Sequence, residues 1–417
     1  MQKKRNTFLL LTVIYISFFA LGLPTGAFAM AWPGVVYEMN VLVEQAGIFL
    51  MVNVVFYSLT SSQLWRIYRY LHVEKVNLIG AGIMVFSLLG LGFSPDFTVF
   101  ILFSAVIGVG GGMMDTSINT YMAESFSARH INWLHGFWGM GSAVGPVIMT
   151  QMMVLLSWRA GYYALAAVTL LSFLIILASI ISNIWKKEAK AMERKAAEET
   201  ALIETGAACE SGQPIQRRYL TKVRHQFLEV FMFFVYGSME YSLGFWITIV
   251  LLESRGLPLE VVGMFPAVFY GGLMAGRMAF GFIAEKMRDL TMIRLGLTLS
   301  LIGVFMLVPE GAAAFGLFGV ALAGAGFAPV FPCLVHDTAN RFAPSLLTKL
   351  VGYEMTACAL GVAVLSSLKG PVLANVSLEL LFPMTIGLIV ITFLCNEILE
   401  RATNRLNVPC PCAQPYR

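Results

Sequence analysis

Two acidic residues, Asp115 and Glu240, lie within long apolar stretches of the 417-residue chain. An ionisable residue deep in a membrane span costs about 2.5–3.5 kcal/mol on insertion scales, so it is a functional candidate by default. A carboxylate held in a dry setting can exchange a proton with its surroundings. We therefore interpret Asp115 and Glu240 as proton-coupling or substrate-binding groups, with structural polar contacts between helices as the alternative.

Helical spacing places further polar side chains beside these two carboxylates. Asn119 lies one turn after Asp115, on the face that also carries glycines of the run 108–112. Glycines on that face allow close backbone approach or leave cavity space, so Asp115 is expected to face protein or water. Tyr236 lies one turn before Glu240 and either hydrogen-bonds a substrate or anchors its helix.

A second polar face opens the fifth apolar run, where Asn132 and His135 share one side of a helix between Trp133 and Trp138. Amides suit the hydroxyls of a sugar, and aromatic rings stack on its C–H faces. Tryptophans are also common interfacial anchors, which is the preferred interpretation of Trp133. His135 fits a proton relay or a structural hydrogen bond.

Four other charged residues are weaker candidates. Glu354, in the eleventh run, either binds substrate or protons or satisfies a polar partner in the inner leaflet. Arg277 is expected to form a structural or gating ion pair. Glu124 and Asp337, at the ends of their runs, are assigned to ion networks at the inner face.

The composition excludes a soluble globule. Hydrophobic residues make up 58% of the chain and charged residues 12%, with a mean hydropathy of +0.76. Soluble domains carry about 25% charged residues, and disordered chains are poor in aromatics and rich in charge. The chain is therefore predicted to be an all-α membrane protein that crosses the bilayer several times.

Apolar runs of about 20 residues, the length that spans a bilayer, predict twelve transmembrane helices. They cover residues 7–30, 45–65, 76–94, 97–122, 133–156, 160–184, 226–251, 260–283, 291–309, 312–335, 346–368 and 372–396. The predicted division is a six-helix bundle over 1–185, a linker over 186–225, a second six-helix bundle over 226–400 and a tail over 401–417.

Lysine and arginine in the loops predict the orientation. Most of them, including the basic linker, fall on one side, whereas Arg159, Arg255 and Lys369 fall on the other. This asymmetry places both termini in the cytoplasm. Anionic lipid explains the basic stretches without a nucleic-acid partner. The first run resembles a signal peptide but is too long, so an uncleaved helix in a bacterial inner membrane is expected.

The two halves share short sequence patterns. Phe18-Phe19 resembles Phe233-Phe234, and Asp115-Thr116 resembles Asp337-Thr338. Val55-Phe56-Tyr57 similarly resembles Val268-Phe269-Tyr270. Two six-helix halves are typical of secondary transporters, which bind substrate between the halves and alternate its access to the two sides.

These residues resemble the major facilitator superfamily, and within it the fucose/galactose/glucose–proton symporters. The resemblance rests on Asp115 with Asn119, on Asn132, on Tyr236-Gly237 with Glu240, and on Gly276-Arg277. It implies two pseudo-symmetric six-helix bundles and proton-coupled symport of a small polar solute, with a sugar as one candidate. The sequence departs from that family in two places: residues 23–27 carry no acid, and the loop motif at 63–69 is degenerate.

Other functions remain open at this point. Residues 141–146 resemble the Gly-x-x-x-Gly-Pro motif of drug–proton antiporters, so export of amphipathic compounds is the second hypothesis. A non-transporting receptor is the third. No zinc motif, P-loop or catalytic triad occurs, so no enzymatic activity, metal or cofactor is expected, and Cys410 and Cys412 are weak evidence for a metal. The expected partners are a small solute, protons and lipid, with the protein a monomer.

Overall fold

The computed structural model describes residues 2–42, 45–185, 219–262, 264–309 and 313–406, and these residues form helices without any β-strand. The first half has α1 (Gln2–Met39), α2 (Ala46–Ile67), α3 (Val73–Phe93), α4 (Phe97–Ser125), α5 (Ala128–Leu155) and α6 (Trp158–Ile181). The second half has α7 (Val223–Ile249), α8 (Met264–Ile283), α9 (Asp289–Leu307), α10 in two segments (Ala313–Phe327 and Val330–Arg341), α11 (Pro344–Asn375) and α12 (Leu381–Leu406). The predicted all-α architecture is confirmed.

The surface of the bundle is apolar and its interior contains polar groups. Phe86 and Phe93 are 60% and 80% exposed, whereas Asn77 is fully buried and accepts a hydrogen bond from Ser17. Eleven helical stretches in the described part of the chain are long and apolar enough to cross a membrane; α8, which carries Arg277, is not among them. Exposed apolar side chains on such helices are suited to lipid, so the chain is a multi-pass membrane protein.

Local sequence explains several helix ends. The Asp96 side chain caps α4 by accepting from the backbone N–H of Val99 at 3.0 Å, and Ser157 caps α6 in the same way. Pro344 occupies the first turn of α11, where its missing N–H costs nothing. Inside α10, Ala328 and Pro329 separate the two segments because proline cannot donate to the helical ladder.

The boundary predicted between the last two spans is wrong. α11 continues to Asn375 and α12 begins at Leu381, whereas the sequence pattern placed the last span from residue 372. Lys369, predicted in an outer loop, lies inside α11 with 3% of its surface exposed and its Nζ 3.4 Å from Ser238 Oγ. A lysine and a Gly-Pro pair look like a loop in sequence, but inside a packed bundle neighbouring helices allow a helix to continue through them.

The linker and the tail are only partly described. The predicted linker is described from Tyr219 onward, and residues 186–218 lie outside the described residues. The tail is described to Leu406, so the predicted weak metal contact of Cys410 and Cys412 also lies outside them. Both predictions therefore stay predictions.

The crossing of α1 with α5 has a counterpart in the crossing of α7 with α11. A side chain at Gly22 would collide with the backbone carbonyl of Trp138, and one at Gly237 would collide with the carbonyl of Cys358. Gly22 and Gly237 therefore occupy corresponding places, consistent with the paired phenylalanines one turn earlier. Counted from this crossing, Thr25 stands where the second half has Glu240.

A second close contact fixes the correspondence of α4 with α10. Gly110 packs against a glycine of α3, and Gly326 packs against a glycine of α9 in the same way. Counted from this contact, the second-half counterpart of Asp115 is Phe331. The sequence pattern that aligned Asp115 with Asp337 therefore does not match the packing, because short polar pairs recur by chance in apolar segments.

Candidate functional site

A cavity of about 400 Å³ lies between the two halves of the bundle. Both halves contribute to its wall, which is mainly aromatic and aliphatic. Its hydrogen-bonding and ionisable side chains include Asn53, Tyr57, Asp115, His135, Tyr236, Glu240 and Arg277. A largely apolar cavity with a few convergent polar groups is the usual form of a small-molecule site, and this volume lies at the lower end of the range of about 300–1,000 Å³.

The structure separates the ten predicted site residues into three sets. Five of them line the cavity: Asp115, His135, Tyr236, Glu240 and Arg277. Asn119 lies directly beside Asp115, and the others lie elsewhere: Asn132, Glu354, Asp337 and Glu124.

Asp115 is held entirely by neutral hydrogen-bond donors. The Tyr57 hydroxyl donates to Oδ2 in a short hydrogen bond, and Asn119 Nδ2 donates to Oδ1 at 2.7 Å. Tyr57 can reach it because Gly112 lets the backbones of α2 and α4 approach closely. No arginine or lysine in the described part of the chain forms a salt bridge with Asp115, so its charge depends on these two hydrogen bonds.

A hydrogen-bonded path connects Asp115 to His135. Since Asn119 donates to Asp115 through its amide nitrogen, its amide oxygen accepts from His135 Nε2 at 3.1 Å. His135 therefore carries its proton on Nε2 in this arrangement. Its ring is held edge-on against Phe18 and Phe331, with ring centroids 5.6 and 4.9 Å away. Asp115, Asn119 and His135 thus form one polar strip across α4 and α5.

Glu240 has both a neutral and a charged partner. The Tyr236 hydroxyl forms a short hydrogen bond with Oε2, and Arg277 Nη2 lies 3.4 Å from the same oxygen. Tyr236 also lies 3.1 Å from the backbone carbonyl of Phe327, which belongs to the turn before the break in α10. A hydroxyl has one proton, so Tyr236 can fully serve only one of these acceptors at a time.

Asn132 does not face the cavity, although the sequence pattern placed it in the site. Its Nδ2 donates to the carbonyl of Ala128 in its own helix at 2.9 Å. Trp138 lines the cavity, whereas Trp133 packs against Phe282 near the end of α8. The face predicted to bind a sugar is therefore divided: of its residues, His135 and Trp138 line the cavity, whereas Asn132 and Trp133 do not.

Glu354 and Asp337 belong to a separate buried charge cluster in the second half. Arg341 is 2% exposed and donates to both oxygens of Glu229 at 3.2 Å and to Asp337 at 3.0 Å. Glu354 lies 2.9 Å from the Thr338 hydroxyl in the same cluster. Three carboxylates around one guanidinium need further neutralisation in a dry interior.

Three residues depart from the sequence-based assignment. Tyr57, which the sequence suggested only as part of a repeat, donates to Asp115. Glu229 was not selected, although its position in the seventh apolar run marked it as an intramembrane acid. Glu124 is exposed near the end of α4, and no salt bridge among the described residues includes it, so its ion-pair role stays a prediction.

Contacts between the halves close the cavity on the face where α1 begins. The Thr356 hydroxyl donates to the carbonyl of Ser58 at 2.9 Å, and Met355 Sδ lies 3.9 Å from Asn119 Nδ2. At the face itself Arg129 pairs with Glu285 at 2.9 Å. The cavity extends instead toward the opposite face, where residues such as Phe28, Phe49 and Tyr162 line it.

Two six-helix halves around a central cavity that is closed on one side define a membrane carrier rather than an enzyme. The family assignment agrees with this class: the chain belongs to the Major Facilitator Superfamily, whose family model matches residues 14–367.

Two relatives are similar at low identity. "Bypass of stop codon protein 6" of Saccharomyces cerevisiae is 21% identical over 257 residues, covering 58% of this chain and 50% of that protein. "Probable sulfoacetate transporter SauU" of Cupriavidus necator is 23% identical over 289 residues, covering 66% of this chain and 63% of that protein. The match thus spans about half to two thirds of the length of these relatives.

Solved structures of the superfamily share the fold. The transporter FucP in its outward conformation has a TM-score of 0.67 at 11% identity, covering 93% of this chain and 98% of that one. The human organic anion transporter MFSD10 gives 0.71 at 14% identity over 93% and 98%. The proton:xylose symporter XylE gives 0.72 at 12% identity over 94% and 95%. At these identities the likeness establishes the fold alone.

Proposed function

We propose that this protein is a proton-coupled secondary transporter that moves a small polar solute by alternating access. The observation that carries the proposal is the pair of carboxylates at the central cavity. Asp115 comes from the first half and Glu240 from the second, and each is hydrogen-bonded to a tyrosine hydroxyl. Substrate and coupling-ion sites of secondary transporters lie between the halves, where rocking exposes them to either side in turn.

Asp115 is suited to the proton-binding step. When it is ionised, Tyr57 and Asn119 both donate to it, so neither oxygen is left without a partner. When it is protonated, its O–H can donate to the Tyr57 oxygen, because a hydroxyl both donates and accepts. Both protonation states are thus accommodated without a nearby cation. His135, joined through Asn119, offers a second proton-carrying group at the cavity wall.

The closed face is proposed to be cytoplasmic. Arg129, Arg288 and Arg401 lie at the ends of helices on the side where α1 begins, as expected of positively charged cytoplasmic loops. Both termini would then be cytoplasmic, and the cavity of this structure would open to the outside. We place the protein in a bacterial inner membrane as a monomer.

The class of solute is left open between sugars and other small polar compounds. FucP is described as a fucose:proton symporter and XylE as a proton:xylose symporter, whereas MFSD10 is described as an organic anion transporter and SauU as a probable sulfoacetate transporter, so these names favour neither class. The sugar hypothesis is weakened because Asn132, which was predicted to bind sugar hydroxyls, donates to the Ala128 carbonyl and does not line the cavity.

Export of amphipathic compounds is the second candidate. The stacked rings of Phe28 and Phe49, with centroids 4.1 Å apart, contribute to an aromatic wall that would accept an apolar group. Such an exporter would use the same carboxylates for proton antiport, and the direction of proton flow distinguishes the two functions.

Proteoliposomes containing the purified full-length chain provide the test. An inward proton gradient is imposed, and the vesicles are incubated with a defined mixture of small solutes whose accumulation is measured by mass spectrometry. Symport predicts accumulation of at least one polar solute, loss of that accumulation in Asp115→Asn, and alkalinisation of the outer medium during uptake. Export of amphipathic compounds predicts that solute efflux, not uptake, accompanies proton entry.

Asp96→Asn is the matched control. It makes the same chemical change on the same helix, at a residue that does not line the cavity, and asparagine still caps a helix. Coupled flux should be unchanged in this variant. If Asp115→Asn and Glu240→Gln both retain coupled flux, the two carboxylates are not the coupling groups.

A further inference from the structure

The Arg277 guanidinium is buried at the cavity wall but only weakly paired. The residue is 4% exposed, and its single contact with Glu240 measures 3.4 Å from Nη2 to Oε2. Its Nε is buried and has no hydrogen-bond partner among the described residues. A buried guanidinium carries a large desolvation cost unless its donors are satisfied.

Two other arginine–carboxylate pairs in the described part of the chain are short and use two donors, whereas the one pair there that is longer than Arg277–Glu240, Arg288 with Glu400 at 3.6 Å, has an arginine that is 76% exposed. Arg255 contacts Glu379 at 2.9 and 2.7 Å, and Arg294 contacts Glu397 at 2.6 and 2.7 Å. Such forked geometry is the favourable one for a guanidinium and a carboxylate. Of Arg255, Arg294 and Arg277, Arg277 has the longest carboxylate contact, with a single donor, and it is the one that lines the central cavity.

Glu240 has a better partner than Arg277. The Tyr236 hydroxyl forms a short hydrogen bond with the same oxygen that Arg277 approaches. Glu240 could therefore take up a proton and keep a hydrogen bond to Tyr236 while releasing Arg277. With Asp115 and Glu240 both protonated, the described side chains that line the cavity would carry one positive charge, that of Arg277, with His135 neutral.

We propose that the transported solute carries one oxyanion group, a carboxylate or a sulfonate, and that Arg277 binds this group after a proton on Glu240 releases it. The planar fork of a guanidinium matches the oxygens of such groups in two parallel hydrogen bonds. The aromatic wall receives the rest of the solute. Proton and anion bind together because each favours binding of the other. The proton neutralises Glu240, which then no longer competes with the anion for Arg277. The anion in turn neutralises the freed guanidinium.

Other groups near this pair set the conditions of the test. Around Glu240 and Arg277 stand Tyr236 and Tyr241 of α7, Tyr270 of α8, His135 of α5, Asp115 of α4 and Cys358 of α11. Asp115 and His135 are the members of this set that would add further proton-dependent charges, so the pH dependence is measured in the wild type, in Glu240→Gln, in Asp115→Asn and in His135→Gln.

The inference rests on the proposed function, and the experiment separates the two. Proteoliposomes under an inward proton gradient receive an equimolar mixture of matched anionic and neutral solutes: D-glucuronate with D-glucose, D-gluconate with D-sorbitol, and quinate with myo-inositol. We expect the wild type to accumulate anionic members over their neutral partners. Arg277→Gln should lose this accumulation by about tenfold or more, the effect of removing a charge-assisted hydrogen bond of about 1.5–3 kcal/mol. Arg277→Lys should retain part of it, and Arg294→Gln should match the wild type.

Binding without a gradient provides the second readout. Anion affinity of the detergent-purified protein should weaken as pH rises in the wild type and should depend much less on pH in Glu240→Gln. Accumulation of neutral members with protons would overturn the inference and leave the proposed function standing. Accumulation of anions that Arg277→Gln does not reduce would also overturn it. No accumulation of any solute would reject both.

Discussion

The two halves of the bundle share a backbone plan but place their acidic groups at different positions. At the place where α4 of the first half carries Asp115, α10 of the second half carries Phe331. Conversely, α7 carries Glu240 where α1 carries Thr25. Each half thus contributes one carboxylate from a different helix, so the cavity has two unlike acidic groups instead of a symmetric pair.

The partners of these carboxylates differ as well. Among the described residues, the side-chain donors to Asp115 are neutral, whereas Glu240 has Arg277 beside it. Glycine contacts between α2 and α4 and between α8 and α10 place Ser61 in the first half at the position of Arg277. In the proposed mechanism, a proton on Asp115 would change the charge of the cavity wall alone, while a proton on Glu240 would also release a cation. The comparison therefore teaches that an approximate repeat of the fold need not repeat the chemistry.

The two halves also differ at the positions of the buried charge cluster, which belongs to the second half. Arg341 and Asp337 of the second half correspond to Ser125 and Tyr121 in the first. In the first half this region is aromatic, with Tyr121 packed against Trp185 at a centroid distance of 5.4 Å. One half is thus held at this level by paired charges and the other by ring packing.

The largest expected effect comes from removing the cation of the charge cluster. Arg341→Met should lower the free energy of unfolding by about 3–5 kcal/mol, because Glu229 and Asp337 would remain buried without their partner. Denaturant unfolding of the detergent-purified protein measures this. The control Arg294→Met disrupts an arginine pair that is 46% exposed on the arginine side and should cost about 0–1 kcal/mol. Equal effects in the two variants would show that burial of Arg341 does not govern its contribution.

Asn119 and Asn132 provide the next test of the site. Asn119→Ala removes the link between Asp115 and His135, so the coupled uptake rate should fall by about tenfold, which is within the 1–3 kcal/mol cost of an unsatisfied buried group. Rates are normalised to the amount of folded protein. Asn132→Ala makes the same change at a residue bonded within its own helix, and its normalised rate should stay near that of the wild type. A larger loss of the normalised uptake rate in Asn132→Ala than in Asn119→Ala would show that Asn132 takes part in transport.

Removing the hydroxyl of Tyr57 or of Tyr236 tests Asp115 and Glu240 separately, because each tyrosine is hydrogen-bonded to one of the two carboxylates. Tyr57→Phe removes a donor to the ionised Asp115, so the proton is taken up more readily and the pH of half-maximal uptake should move upward by about 0.5–1 unit. Tyr236→Phe should move it less, because Arg277 still faces Glu240. Uptake measured across pH in both variants gives the comparison. A downward movement in Tyr57→Phe would contradict the assigned donor.

The smallest effect is expected at the ion pair that joins the halves at the closed face. Arg129 and Glu285 are 28% and 53% exposed, so their pair should contribute about 0–1 kcal/mol and weaken with salt. Arg129→Glu should slightly favour opening of this face, measured by labelling of a cysteine placed below the cavity. Adding Glu285→Arg should restore the wild-type labelling rate, and no restoration would mean that the two charges act independently.

Sequence alone predicted the helices well because about 20 apolar residues in a row have few other stable forms in lipid. It also selected Asp115, Glu240 and Arg277, since charges within such runs are few. It ranked Glu354 below Glu240 but still kept it as a site candidate, although Glu240 lines the cavity and Glu354 joins the buried cluster. Both are acids inside apolar runs, and only the packing of other helices decides what each one faces.

Tyr57 shows a second limit of sequence reasoning. A tyrosine in a membrane helix has many ordinary places, and its donation to Asp115 depends on how closely α2 approaches α4. That approach depends on glycines of α4, and the sequence does not show which helix packs against them. The extension of α11 past Lys369 was missed for a similar reason, because the packing that covers this lysine comes from another helix.

In the proposed mechanism, the break in α10 at Pro329 would let the second half respond to the binding of one proton. Tyr236 stands between the ionisable Glu240 and the Phe327 carbonyl in the turn before the break. When Glu240 is ionised, the Tyr236 hydroxyl donates its hydrogen bond to the carboxylate. When Glu240 is protonated, the carboxylic acid donates to the Tyr236 oxygen, and the Tyr236 hydroxyl can instead donate to the Phe327 carbonyl. A single protonation would thus move the hydrogen bond that the Tyr236 hydroxyl donates. Its acceptor would change from Glu240, in the same helix α7, to the Phe327 carbonyl of α10. Tyr236→Phe removes this exchange, and the protection factors of the amides around Phe327, which correct for the intrinsic pH dependence of amide hydrogen exchange, should then no longer differ between acidic and basic pH.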